Sequence, residues 1–259
     1  MNDAAHWIYR AERAGRRMHV LHAGGDWNEL EGDLFGRYAA GAPVDPADLR
    51  ILAPLEPSKI VAVGLNYRDH AREMNKVLPS EPLIFLKPPS AVVGPDGAIV
   101  LPAGAGRVDY EAELGLVIGR RARAVAAADA PDYILGLTCV NDVTDRDLQK
   151  RDVQYTRAKG FDTFAPVGPA VAVGVDWRAL DVESWLNGER RQASNTRELI
   201  FDIGYLVEFV SSVMTLLPGD VIATGTPSGV GPLQPGDRIV VKVAGVGSLA
   251  NDVVAAEPA

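Results

Sequence analysis

The chain has 259 residues, of which 47% are hydrophobic and 23% charged, so wholesale disorder is excluded. Its 34 acidic and 26 basic side chains give a formal net charge of −8, which argues against nucleic acid or an anionic membrane surface as the main partner. The first residues predict no signal peptide, and no window reaches the roughly 20 apolar residues of a membrane-spanning helix.

The chain divides into a short first segment and a longer body. Residues 1–54 carry short strand-like fragments punctuated by glycines, and a Pro/Asp turn cluster follows at 42–46. We therefore predict a small β-rich segment over 1–54, with a linker near 42–57, and a larger domain over 55–259.

Short apolar runs bounded by glycine, proline and aspartate predict that most of the body is β-structure. The predicted strands are 59–64, 83–86, 98–101, 112–118, 134–140, 221–224 and 238–243. Cys139, the one cysteine, falls in the fifth of these strands and is interpreted as a core residue. A lone cysteine forms no internal disulfide, which favours a reducing, cytoplasmic setting.

One helix is predicted by its periodicity, because apolar residues recur three and four positions apart over 202–216, behind Asp202 as a potential N-cap. Shorter helices are predicted over 66–75 and 145–155. No regular alternation of strands and helices is visible, so the predicted fold class is α+β and mostly β.

Three carboxylates lie near the ends of predicted strands. Glu111 and Glu113 alternate with Ala112 and so face the same side of a strand, and Asp142 follows strand 134–140. Carboxylates that close repel unless a cation lies between them, and a hard divalent ion takes oxygen ligands. A solvated glutamate pair and a helix N-cap at Asp142 remain alternatives. Since His70 is the only histidine beyond residue 22, a histidine-rich metal site is disfavoured.

Two further stretches carry polar or flexible residues. His70 and Glu73 share one face of the predicted helix 66–75, and a carboxylate on one ring nitrogen makes the other a better base. A surface His–Glu pair would give the same pattern. The glycine-rich stretch 224–231 permits a ligand to approach the backbone closely, although a plain hairpin connection is the alternative. It lacks a Walker A lysine, which disfavours nucleotide phosphate binding.

Taken together, these stretches resemble the fumarylacetoacetate hydrolase family, in its bacterial isomerase, decarboxylase and acylpyruvate-hydrolase branch. The resemblance covers about 55–254. It depends on ordered segments at 63–67 with His70 and Glu73, 87–88, 109–113, 141–142 with Arg146 and Gln149, 159–163, 217–222 and 224–227.

The resemblance implies a mixed β-roll as the catalytic domain over 55–259, in a homodimer. It also implies Mg²⁺, with Mn²⁺ or Ca²⁺ as substitutes, held by Glu111, Glu113 and Asp142. A fourth aspartate ligand found in the founding family member is not expected, because the matching stretch here is shorter and reads Asn66-Tyr67.

The family also implies roles for the remaining site residues. His70 backed by Glu73 would activate a water, on a lid that orders over bound ligand. An oxyanion would be stabilised by Lys159, helped by Gln149 and Arg146, while Thr226 would hold the distal end of the substrate. The implied catalytic residues are thus His70, Glu73 and Lys159, and the implied substrate-binding residues are Arg146, Gln149 and Thr226.

The implied function is hydrolysis of the C–C bond of an acylpyruvate-type 2,4-dioxo acid, such as fumarylpyruvate, in aromatic compound catabolism, with an enolate leaving group stabilised by Mg²⁺. The alternatives are isomerisation of a 2-hydroxyhepta-2,4-diene-1,7-dioate-type substrate and decarboxylation of a 2-oxo acid. A non-catalytic metal-binding protein is disfavoured, because His70, Glu73 and Lys159 are all present.

Overall fold

The computed structural model describes residues 5–257. Each strand predicted in the body is present with its ends within one residue of the prediction, but the strands Ala165–Val173, Asp181–Leu186, Glu189–Asn195 and Gly247–Ala255 were not predicted. In chain order the strands are β1 His6–Arg13, β2 Arg16–Ala23, β3 Asp26–Gly32, β4 Tyr38–Pro43, β5 Arg50–Ile51, β6 Ile60–Gly64, β7 Leu83–Lys87, β8 Val92–Val93, β9 Ile99–Leu101, β10 Val108–Tyr110, β11 Ala112–Ile118, β12 Ile134–Asn141, β13 Thr144–Asp145, β14 Ala165–Val173, β15 Asp181–Leu186, β16 Glu189–Asn195, β17 Val221–Ala223, β18 Gly231–Pro232, β19 Arg238–Val243 and β20 Gly247–Ala255.

The strands form a mixed β-roll of three sheets. The largest runs in the order β4-β3-β2-β1-β14-β12-β11-β17-β6-β7, with β5 paired to β1 and β8 to β14. A second sheet has the order β13-β10-β18, and a third β16-β15-β19-β20-β9. The fold is therefore mostly β, as the short apolar runs bounded by turn residues predicted.

The helices are few and short. They are α1 Arg68–Glu73, α2 Arg146–Asp152, α3 Thr156–Lys159 and α4 Ile203–Val213, with 3-10 turns at Pro46–Asp48, Pro89–Ala91, Ala127–Tyr133, Trp177–Ala179 and Thr196–Glu198. Helix α4 confirms the predicted N-cap, because the Asp202 carboxylate accepts a hydrogen bond from the Tyr205 N–H at 2.8 Å. Its apolar stripe packs into the main core, as the three- and four-residue spacing requires.

Two predicted helices differ from the observed ones. Helix α1 begins at Arg68 and not at residue 66, because Leu65 has a positive φ of 50° and the Asn66 side chain is bonded elsewhere. Its amide joins Thr224 O at 2.8 Å and the N–H of Phe201 at 2.8 Å. The predicted helix 145–155 ends early, as α2 at Asp152, and a second helix, α3, begins at Thr156, beyond the predicted range.

The antiparallel pair β11–β12 positions the acidic residues. Ala112 at the start of β11 pairs with Asn141 at the end of β12. Glu111 and Glu113 therefore flank the end of β12, from which Asp142 emerges, and the Asp142 N–H bonds to Glu111 O at 2.9 Å. Residues distant in sequence are thus brought together at one end of the central sheet.

Strand β17, which pairs with β11, is secured to β6 by the buried carboxylate of Asp220. Asp220 accepts hydrogen bonds from the backbone N–H groups of Ser58, Lys59 and Leu217, and from the Ser58 hydroxyl at 2.6 Å. It also forms an ion pair with Lys59. The Leu-Pro-Gly-Asp turn before β17 therefore has a structural role, because Asp220 binds it to the residues that precede β6.

The N-terminal strands continue the large sheet, since β1 pairs with β14. Ile8 and Leu21 pack in one apolar cluster with Ile60 and Val117 of the body. Within residues 5–257, no helix has the length and apolar character needed to cross a membrane.

Candidate active site

Three carboxylates meet where β11 begins and β12 ends. One oxygen from each of Glu111, Glu113 and Asp142 lies within 4.8 Å of the others, and all three side chains are buried. The helix-cap alternative for Asp142 is wrong, because the N-cap of α2 is Asp145, whose carboxylate accepts from the N–H groups of Asp147 and Leu148. The sequence-predicted trio is therefore a real cluster.

Two buried lysines neutralise part of this charge. Lys159 Nζ donates to Glu111 Oε2 at 2.9 Å and to Asp142 Oδ2 at 2.6 Å. Its third hydrogen goes to Thr144 Oγ1 at 2.7 Å. Lys87, which is fully buried, donates to Asp142 Oδ1 at 2.6 Å. The three N–H groups of Lys159 are thus all engaged, so donating to a substrate requires that it exchange one of these bonds.

The carboxylates differ in their electrostatic surroundings. Burial would raise the pKa of Glu111, but Lys159 and Arg146 hold it down to about 2. Burial, with Asp142 and Glu111 close by, instead raises the pKa of Glu113 well above its usual value. Among residues 5–257 no cationic side chain forms an ion pair with Glu113, whose Oε2 accepts only from the Gly225 N–H at 2.8 Å. Lys159 opposes this rise in pKa only in part, since it makes its hydrogen bonds to Glu111 and Asp142 and not to Glu113.

The trio fits a metal ion. Its donors are carboxylate oxygens, which hard divalent cations prefer, and they converge within the distance that shared ligation requires. The raised pKa of Glu113 also fits a cation site. A buried carboxylate beside two others is unfavourable in its charged form, and a bound cation would stabilise that form. The residues that could hold a metal are therefore Glu111, Glu113 and Asp142.

A histidine–glutamate pair lies on helix α1. His70 Nδ1 is 2.9 Å from Glu73 Oε2, and the His70 side chain is only 8% exposed. The other oxygen, Glu73 Oε1, accepts from the Gly229 N–H at 3.1 Å, which joins α1 to the glycine-rich loop. With Nδ1–H donated to the carboxylate, Nε2 is the ring nitrogen that can accept a proton.

Arg146 and Gln149 lie three residues apart on α2, and their side chains are in contact. Arg146 Nη1 donates to Gln149 Oε1 at 3.0 Å, and Nη2 donates to Glu111 Oε1 at 2.6 Å. The pKa of Arg146 is raised because Glu111 and Asp109 outweigh the opposing effect of its burial. Arg146 is thus a fixed cation at the edge of the carboxylate cluster.

Thr226 lies in the glycine-rich loop after β17. Its hydroxyl donates to Ala112 O at 2.9 Å and accepts from Gln192 Nε2 at 2.8 Å. Gln192 Oε1 in turn accepts from the Ala112 N–H at 3.0 Å. These bonds hold the loop against the start of β11, so the hydroxyl predicted to bind substrate already serves the fold.

One cavity of about 660 Å³ brings the predicted residues together. Its wall contains all of them, namely His70, Glu73, Glu111, Glu113, Asp142, Arg146, Gln149, Lys159 and Thr226. Apolar side chains complete the wall, among them Leu65, Met74, Leu83, Phe85 and Val230. A cavity of this size with convergent polar groups is typical of a small-molecule site.

Sequence reasoning did not assign two residues that the structure places here. Asp109 lines the cavity and binds Arg146, and Lys87 lies against Asp142. Asp109 was detectable, because the two-residue period of a strand puts it on the face of Glu111. Lys87 carried no such signal, since only the pairing of β6 with β7 brings it to the cluster.

Sequence and structure comparisons relate the chain to one family of enzymes. A family model described as fumarylacetoacetate (FAA) hydrolase C-terminal matches residues 59–254. The structure of a 5-carboxymethyl-2-hydroxymuconate delta-isomerase from Mycobacterium smegmatis is 44% identical, with a TM-score of 0.90, over 96% of this chain and 100% of that one.

Two further proteins extend the comparison. A mitochondrial oxaloacetate tautomerase of Bos taurus is 41% identical over 230 residues, which are 83% of this chain and 73% of that protein. A maleylpyruvate hydrolase from Sphingobium sp. SYK-6, solved with manganese(II) and pyruvate, is 32% identical, with a TM-score of 0.80, over 97% of this chain and 100% of that one. The chain is therefore similar to three kinds of enzyme.

Proposed function

The chain belongs to the fumarylacetoacetate hydrolase family, and from this we propose that it transfers a proton at the carbon next to the keto group of a 2-oxo acid, as a tautomerase or isomerase. The observation that carries the proposal is the His70–Glu73 pair in the wall of the cavity that also holds the carboxylate trio. One base and one electrophilic site are sufficient for keto–enol chemistry.

The metal in this proposal is Mg²⁺. Held by Glu111, Glu113 and Asp142, it would act as a Lewis acid that polarises the keto group of the substrate and makes the adjacent C–H more acidic. Mn²⁺ and Ca²⁺ are the expected substitutes. The homodimer and the cytoplasmic location predicted from the sequence belong to this proposal too, and light scattering measures the first.

The chain's own residues supply the remaining steps. His70 Nε2 takes the proton from C3 of the substrate and returns it at another carbon or at oxygen. Glu73, bonded to Nδ1, orients the ring and stabilises the imidazolium that forms. Gln149 donates an amide hydrogen to the substrate oxygen on which negative charge develops. Apolar side chains such as Phe85 and Leu83 keep bulk water away from this charge.

A second candidate is the hydrolysis of an acylpyruvate-type 2,4-dioxo acid such as fumarylpyruvate. The likeness to a maleylpyruvate hydrolase favours it, as does a cavity with room for a water beside the substrate. His70 Nε2 would then take a proton from that water, which attacks the distal carbonyl. The C–C bond breaks, and its electron pair remains on the pyruvate part as an enolate.

The test is exchange of C3 protons for deuterium, followed by NMR in D₂O with Mg²⁺ and pyruvate, oxaloacetate or acetylpyruvate. Wild-type protein should catalyse exchange, and H70N should lose at least about 10²-fold of the rate, the lower range for a general base. H19N changes a histidine outside the cavity and should match wild type.

Product analysis on the same samples separates the two candidates. Interconversion of the enol and keto forms of oxaloacetate without new products supports the tautomerase, whereas pyruvate released from an acylpyruvate supports the hydrolase. Folded, metal-loaded protein that neither exchanges protons nor turns over any of these acids would reject both. Exchange at the wild-type rate in H70N would remove His70 from the mechanism.

A further inference from the structure

Asp109 is a buried carboxylate to which the steps above give no role. It is 1% exposed and accepts from Arg107 Nε at 2.7 Å and from Arg107 Nη2 at 3.1 Å. On the other side it accepts from Arg146 Nε at 2.8 Å. The pairing of Asp109 with Thr144, between β10 and β13, brings it beside the first residue of α2.

Arg146 is held on three sides. Because a guanidinium group is planar and rigid, fixing Nε at Asp109 also fixes the directions of the two terminal nitrogens. One of them donates to Gln149 and the other to Glu111. The position of Asp109 thereby determines where Arg146 meets its other two partners.

Gln149 takes its orientation from this contact. A guanidinium group offers only donors, so the atom of the Gln149 amide that faces Arg146 must be the oxygen. The amide nitrogen then points away from Arg146. Among the contacts of residues 5–257, Gln149 Nε2 has no acceptor, and Gln149 lines the cavity. Both N–H donors of the Gln149 amide are therefore unpaired among the described residues, on a side chain that lines the cavity.

We propose that Asp109 is a positioning residue that acts through Arg146 to keep the Gln149 amide turned with its N–H groups towards the substrate. This inference rests on the proposed function, in which Gln149 donates to the substrate oxygen. Without Asp109 the guanidinium group is free to tilt, and Gln149 loses the contact that fixes which end of its amide faces the cavity.

The kinetic test is D109N at saturating Mg²⁺, in the reaction that the wild type catalyses. An asparagine of the same shape offers one oxygen and one NH₂ group to two guanidinium groups, so at least one bond is lost. We expect kcat to fall on the order of tenfold, in the middle of the range for coupled neighbouring side chains, with KM nearly unchanged.

D176N is the matched control. Asp176 forms the same two-bond pair with an arginine, Arg178, at 2.8 Å for each bond, but on an exposed 3-10 turn outside the cavity. Its kinetics should equal those of wild type. A fall in kcat in both variants would show that losing any Asp–Arg pair has the same effect, and would overturn the proposal.

A double-variant cycle shows whether Asp109 acts through Gln149. Q149A alone should lower kcat by roughly 10²- to 10³-fold, as loss of an oxyanion donor does. If Asp109 works by orienting Gln149, then D109N/Q149A should be no slower than Q149A. Effects that multiply would contradict the proposal.

NMR of the ¹⁵N-labelled full chain supplies a readout that does not depend on activity. In D109N, hydrogen exchange of the Arg146 Nε–H should accelerate, and the Gln149 amide protons should lose the single set of contacts they have in wild type, because the amide is no longer held in one orientation. In D176N both sets of signals should stay as in wild type. A Gln149 amide that keeps its wild-type contacts in D109N would overturn the inference.

The remaining outcomes are also decisive. Weaker Mg²⁺ binding by calorimetry, with normal kcat once metal saturates, would place the effect on Glu111 and reject the role assigned to Gln149. If wild type turns over no 2-oxo acid, the proposed function falls. The NMR comparison would then still decide whether Asp109 fixes the Gln149 amide.

Discussion

At the scale of single residues, buried charge is the main feature of the site. Two lysines that are fully buried or nearly so, Lys87 and Lys159, stand against the carboxylate cluster. Burial lowers the pKa of Lys87, and the neighbouring Lys159 adds to this effect. Burial likewise opposes protonation of Lys159, but Asp142 and Glu111 outweigh it and raise its pKa. Such groups persist only because each has a partner of opposite sign.

Glu113 is the carboxylate on which metal binding should depend most. E113Q keeps the shape of the side chain and is neutral, so we expect a folded protein that no longer binds Mg²⁺. Thermal unfolding should show this, because a metal at 100 times its Kd stabilises wild type by about 2.7 kcal/mol. E31Q, an exposed change on β3, should keep the full Mg²⁺-dependent shift. An equal shift in E113Q would exclude Glu113 as a ligand.

The sequence predicted those site residues whose side chains share one face of a strand or helix because of their spacing. Glu111 with Glu113, and His70 with Glu73, follow from the periods of strand and helix. The sequence does not show which of these polar groups are already hydrogen-bonded within the fold. That the Thr226 hydroxyl is already bonded to Ala112 and Gln192 depends on β-pairings between distant segments.

At the scale of elements, the start of α1 and the break between α2 and α3 are set by local backbone geometry. The sequence analysis predicts a helix over 145–155, but Val153 has φ 62° and ψ −43°, outside the helical region. A β-branched residue in the left-handed half of the map is strained, and its propensity gives no sign of it. Boundaries of this kind escape sequence reasoning, whereas α4, with a cap and a full stripe, does not.

V153G should therefore stabilise the protein by about 1 kcal/mol, since glycine reaches positive φ without the steric cost that valine bears. Val153 is 80% exposed, so little packing is lost. V77G, at a 92% exposed position without positive φ, is the control and should be neutral or slightly destabilising. Urea denaturation measures both. A lower midpoint in V153G than in V77G would contradict this explanation.

Asp220 is the element-scale counterpart of the site carboxylates, with a structural role. D220A removes the acceptor for several buried donors at the junction of β6 and β17, and should cost about 3 kcal/mol or more. D252N breaks an exposed pair with Arg238 and should change stability little. Chemical denaturation distinguishes the two. A D220A protein as stable as wild type would mean that this joint is dispensable.

At the scale of the whole molecule, the N-terminal strands and the body share one sheet and one apolar cluster. We propose that residues 1–54 are a stabilising extension of the catalytic domain over 55–259, since every predicted site residue lies in the body. The sequence predicted the β-rich character of this segment. It did not contain the partner strand, because the pairing of β1 with β14 joins segments about 160 residues apart.

Deleting residues 1–54 should leave the site residues in place but expose the edge of β14 and the faces that Ile8 and Leu21 cover. We expect aggregation or a large loss of cooperativity in thermal unfolding. I8A in the full-length chain tests the same interface more gently and should cost about 2–5 kcal/mol. If the shortened chain unfolds like wild type, residues 1–54 do not contribute to the stability of the body, and the proposal is contradicted.

Charge is distributed unevenly over the molecule. The chain carries a net −8, yet the cavity wall contains five acidic side chains and five lysines or arginines. Lys76 and Lys150 have no ion-pair partner among the residues that the structure describes. The anionic substrate of the proposed function would therefore meet a wall with as many basic as acidic side chains, in a protein whose net charge is −8.

The hydrogen bond from the Gly229 N–H to Glu73 joins helix α1, which carries the base of the proposed function, to the glycine-rich loop. The same carboxylate holds the base in register and fastens α1 to the loop across the cavity. An outward movement of α1 would break the hydrogen bond between Gly229 and Glu73 and would move His70 away from the cavity. In the proposed function, proton transfer by His70 would therefore require α1 to lie in the position seen here, with Glu73 bonded to both His70 and Gly229.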